Sequence, residues 1–119
     1  MSWISLGAVL AAAAVAAGAF GAHGLAARLD ERSLALWETA SRYLMYGALS
    51  LILAGLFGRV SGRGVGAAGW CLLLGSLIFS GTVGALALGG PRWLGAVTPI
   101  GGTLLIAGLL VFAWSAFKS

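Results

Sequence analysis

Residues 65–88 read VGAAGWCLLLGSLIFSGTVGALAL, twenty-four positions without one charged side chain. A helix rises about 1.5 Å per residue, and about 20 residues cross the roughly 30 Å hydrocarbon core of a bilayer. In hydrocarbon the backbone must satisfy its own hydrogen bonds, so such a segment is a membrane helix rather than an isolated strand. Three other apolar stretches flank it, at 3–27, 43–58 and 94–116. The second reaches spanning length only if its helix begins upstream, near Leu34. The expectation is an all-α fold: an integral membrane four-helix bundle with short loops and an interfacial segment between helices 1 and 2. Residues 1–119 form a single transmembrane domain with helices at roughly 3–27, 34–58, 65–88 and 94–116.

Composition points the same way. Of 119 residues, 61% are apolar and 8% charged, and the mean hydropathy is +1.04. A soluble domain carries about 25% charged residues, so lipid must cover much of this surface. Asn and Gln are absent from the sequence, which removes the commonest neutral side chains for reading bases, sugars or amides. The net charge of +4 is spread over Arg28, Arg32, Arg42, Arg59, Arg63, Arg92 and Lys118, all beside apolar runs. That is the headgroup pattern of a membrane protein, and no nucleic-acid partner is expected. Cys71, the single cysteine, sits inside an apolar run and reads as a small buried hydrophobe.

The first stretch is Ala-rich like a signal peptide, but no basic residue precedes it and it exceeds the roughly 7–15 residues of a signal core. It reads as a retained helix. Small residues recur along each helix: Gly7, Ala11, Ala14, Gly18 and Gly21; Gly47, Ser50, Ala54 and Gly58; Gly69, Ser76, Ser80 and Gly84; Gly95, Thr98, Gly102 and Gly108. Lipid supplies no hydrophobic drive for helix association, so close approach along small-residue faces must supply it. Gly7, Gly18, Gly21, Gly84 and Gly102 are the candidate helix-packing positions. A wide aqueous pore would need polar stripes, which the helices lack.

Residues 59–64 (RVSGRG) and 89–93 (GGPRW) read as turns. The longer connection, 28–42, holds all three acidic residues, with Asp30 or Ser33 as a helix cap. Leu34, Trp37 and Ala40 recur at a spacing of three, as an interfacial segment would. Basic residues divide three to four between the two sides. The short 59–64 turn favours both termini inside the cell.

The polar inventory converges on one membrane half: His23, Glu38, Arg42, Tyr46, Ser80 and Thr98. An ionisable group at membrane depth is a functional candidate, a proton relay or headgroup site. The structural alternative, which we favour, is a clasp with Glu38 paired to Arg42 at i,i+4 and His23 satisfied by a neighbour. GVGAAG at 64–69 matches a nucleotide-binding glycine pattern by letter alone and reads as packing glycines. No catalytic constellation, metal site or cofactor is expected. The tryptophans sit near helix ends, as an aromatic belt.

GAFGAHGL at 18–25, WETASRYLMYGALSL at 37–51, FSGTVGALAL at 79–88 and TPIGGTLLIAG at 98–108 together resemble the YgdD/YwdK-like small four-helix membrane proteins, domain of unknown function 423. The resemblance spans nearly the whole chain. It implies a bacterial cytoplasmic (inner) membrane location and a four-helix fold, with no activity, cofactor or catalytic residue. One position departs: Gly47 stands where the family often has His.

Three functions compete. The first is a structural or accessory protein that packs with lipids, a larger membrane complex or further copies of itself. The second is a small oligomeric transporter or channel using His23 or Glu38. The third is a lipid enzyme, for which Ser80 with His23 is the sole nucleophile–base pairing on offer. They rank in that order, with a non-enzyme expected.

Overall fold

The computed structural model describes residues 2–118. Four α-helices follow one another: α1 (Trp3–His23), α2 (Glu31–Ser61), α3 (Gly66–Ala87) and α4 (Leu94–Lys118). All four are long and apolar enough to cross a membrane, and the chain is a membrane protein with a helical-bundle fold.

Local chemistry sets the ends. Ser2 caps α1 by accepting the Ser5 N–H at 3.1 Å. The α1 helix stops at His23 rather than running to 27, because the chain tightens into a 3-10 turn over Leu25–Ala27 that buries Leu25. Asp30 then caps α2, its carboxylate accepting the Ser33 N–H at 2.8 Å. The α2 helix therefore begins three residues before the expected Leu34, and the expected interfacial segment is its first turns, continuous with the span. It ends where Gly62 turns left-handed at φ 75° and donates its N–H to Gly58 O at 2.9 Å. At 31 residues, α2 is about 46 Å long and outreaches a core of about 30 Å.

Packing follows chain order. The α1–α2, α2–α3 and α3–α4 pairs carry nearly all the inter-helix contact, α2–α4 is marginal, and among the described residues α1 and α4 make no substantial contact. Leu51, Ala54, Leu72 and Leu105 form the buried centre, flanked by Trp3, Leu6, Leu10, Phe79 and Phe112. The bundle is thus open, with α3 the most enclosed helix and α1 and α4 on the outside.

The seams are built from small residues, though not all of those expected. A Cβ on Gly7 would lie 2.8 Å from Ala48 O, and one on Gly21 would lie 2.6 Å from the Trp37 ring. Gly84 and Gly102 have only ordinary neighbours, at 3.8 Å and 3.6 Å. Gly18 has none within 4 Å, so it is not a packing position. The reason is register: Gly7, Ala14 and Gly21 are the buried residues of α1. They recur every seven residues, the interval that keeps one seam facing a partner, and Gly18 falls beside it. The closest backbones are in the α3–α4 pair. There a Cβ on Gly75 would sit 2.7 Å from Leu105 N, and one on Gly101 would overlap the Phe79 backbone.

Candidate functional site

The anticipated polar cluster is dispersed. Among the described residues, Glu38 forms neither an ion pair nor a hydrogen bond with Arg42 or His23, and all three are exposed. The expected Glu38–Arg42 clasp is therefore absent. Trp37 is the residue that turns towards α1, donating its indole N–H to Ala17 O at 2.8 Å. Glu38, one position on, is rotated about 100° away from that contact. Tyr46 is 52% exposed and packs edge-on against Tyr43, ring centroids 5.1 Å apart, while Tyr43 lies 4.8 Å from Phe79.

Thr98 has a different partner. Its hydroxyl meets that of Thr82 at 2.6 Å across the α3–α4 seam. Thr98 Oγ1 also reaches Leu94 O at 3.1 Å, and Thr82 Oγ1 reaches Ile78 O at 2.8 Å. Each hydroxyl has one proton, so one donates across the seam and the other to its own helix. This is an inter-helix link made of neutral groups.

Ser80 is 8% exposed, and its Oγ has no hydrogen-bond partner among the described residues. It lines a crevice of about 450 Å³ between α1 and α3, floored by Trp37, Ala40 and Ser41 of α2. Two other serines there are satisfied locally: Ser76 donates to Leu72 O at 2.6 Å and Ser41 to Trp37 O at 3.1 Å. His23 does not line this crevice, so the Ser80–His23 pairing is not assembled. Among the described residues, no group of three His, Cys, Asp or Glu side chains gathers as a metal site would need.

A larger cavity, about 590 Å³, lies at the opposite end, among the start of α1, the end of α2 and the start of α3. Its rim carries Arg59 and Arg63, and Trp3 and Trp70 stand in its walls with centroids 5.3 Å apart at 87°. Trp3 fits because two helices are bare where it passes. A Cβ on Gly69 would sit 2.5 Å from its ring, and one on Gly55 would sit 3.0 Å from its Cβ. Arg63 donates through Nη2 to Lys118 O at 2.8 Å, which brings the end of α4 to the same place. The sequence offered these residues only as an orientation signal and an aromatic belt. The available clue was Gly55 and Gly69 on two helices facing one terminal tryptophan.

The family model described as "Protein of unknown function (DUF423)" matches residues 17–102. A UPF0382 membrane protein of Staphylococcus haemolyticus is 47% identical over 116 residues, covering 98% of this chain and 95% of its own. Similar proteins with the same description occur in Staphylococcus epidermidis, 46% identical, and Staphylococcus saprophyticus, 44% identical, each again covering 98% of this chain. These matches cover 95% and 97% of those relatives. No solved structure matches the chain.

Proposed function

The chain belongs to the DUF423 family of membrane proteins, and on that premise we propose that it is an accessory component of the bacterial cytoplasmic membrane, packing with lipids, a larger membrane complex or its own copies. The observation that carries this reading is the open bundle. Because α1 and α4 do not close on each other, both leave long apolar faces outward, including Val9, Val15, Ile106 and Leu110. Such faces gain their contacts from lipid or from neighbouring helices.

The reading is of a non-enzyme without nucleic-acid partners, its termini in the cytoplasm. His23 at the end of α1, and Glu38 without a polar partner among the described residues, favour it over ion-coupled transport, which needs a partnered ionisable group within the span. The test is flux in proteoliposomes. The full chain should conduct no cation above empty vesicles and should retain native lipid after purification in mild detergent. Flux abolished by Glu38→Gln or His23→Ala would establish the transport reading instead.

A further inference from the structure

We infer that the cavity between Trp3, Arg59, Arg63 and Trp70 is a binding site for the phosphate headgroup of an anionic phospholipid. The inference rests on the lipid-packing reading above and names the lipid class that one place on the molecule selects.

The charge distribution is the first support. All three acidic side chains, Asp30, Glu31 and Glu38, belong to the connection and first turns of α2 at the opposite end. The cavity end holds Arg59, Arg63 and Lys118 and no acidic side chain. Among the described residues Arg59 has no hydrogen-bond or ion-pair partner. Arg63 commits one nitrogen to Lys118 O and keeps other donors of its fork, whose geometry suits phosphate oxygens. The α3 helix starts here too, with no side-chain cap at Val65, so its positive dipole end adds to the same field.

Shape is the second support. Below the guanidinium rim the walls are apolar, from Ile4, Leu6 and Val65. A freely soluble anion would gain nothing from them. A lipid would place its glycerol and first methylenes there, with phosphate at the arginines and the two indoles at headgroup depth. Basic groups at this depth attract anionic lipid.

Native mass spectrometry of the full chain in mild detergent tests this, with phosphatidylglycerol, phosphatidylcholine and inorganic phosphate as probes. Phosphatidylglycerol should be retained in preference to phosphatidylcholine. Arg59→Gln, which removes a side chain with no internal bond to lose, should weaken that retention about tenfold, the effect of one lost charge-assisted bond. Arg92→Gln at the other end should leave it unchanged, and added phosphatidylglycerol should raise the melting temperature of the parent more than that of Arg59→Gln. Equal retention of both lipids, or a preference unchanged in Arg59→Gln and in Arg59→Gln/Arg63→Lys, would overturn the inference. Displacement of the lipid by inorganic phosphate alone would also overturn it, by marking a soluble-anion site. These outcomes are independent of the flux measurement, so failure here and failure of the accessory reading are told apart.

Discussion

Gly47 shows how little room the α2–α3 seam leaves for one atom. A Cβ there would overlap the Ser76 hydroxyl and stand 3.3 Å from Leu105, and Ser76 is fully buried and bonded to Leu72 O. Gly47→Ala should cost about 1–3 kcal/mol, as overpacking does, seen as a lower melting temperature in detergent. Adding Ser76→Gly should recover part of that loss, and simple additivity of the two losses would show that the atoms do not meet. Gly18→Leu, by contrast, should leave the melt unchanged, because the space beside Gly18 is open. In the sequence Gly7 and Gly18 look equivalent, since both fit a stripe of small residues at mixed spacings of three and four. Only the seven-residue return of Gly7, Ala14 and Gly21 separates the seam from its margin. The seating of Trp37 on Gly21 was similarly hidden, being a contact between residues sixteen apart in the chain.

The helices themselves were legible because length and lack of charge determine a membrane span. Their ends were not, because single side chains decide them. Asp30 is the clearest case. The Ser33 N–H it accepts holds its carboxyl below the ordinary value of 3.8. A carboxyl with a lowered folded-state pKa contributes stability that is fully present above its unfolded pKa and lost as pH falls through the folded one. Asp30→Ala should therefore lower the melting temperature at neutral pH, and the gap from the parent should close as pH drops below 3.8. A gap constant with pH would mean that the carboxylate does not act as the cap. Trp37→Phe probes the other end of the same connection. It removes the N–H to Ala17 O, worth about 1 kcal/mol, and with it the indole atoms seated on Gly21, so the melting temperature should fall by more than the hydrogen bond alone accounts for. The candidate cluster was legible only as shared depth. Glu38 and Arg42 are four apart, which permits a pair, yet among the described residues the two side chains do not meet.

At the scale of the molecule, four spans in series place the start of α1 and the end of α4 at one end, and three contacts hold that arrangement. Trp3 meets Trp70, so the start of α1 lies beside the start of α3. The Arg63 side chain reaches Lys118 O, so the α2–α3 turn lies beside the end of α4. Trp3 also passes Gly55, near the end of α2. Cysteines at positions 64 and 118 should therefore label from the same side of the membrane. Gly64 is a suitable site, because an added Cβ there meets open space, and Cys71 is first replaced by Ala. Arg92→Cys, in the turn between α3 and α4, should label from the other side. If the termini are cytoplasmic, as proposed, an impermeant thiol reagent applied to intact cells reaches only the cysteine at 92. If it reaches 64 and 118 but not 92, the fold stands and its orientation is reversed. If 64 and 118 label from opposite sides within one molecule, the Arg63–Lys118 contact cannot form, and the four-span arrangement falls with it.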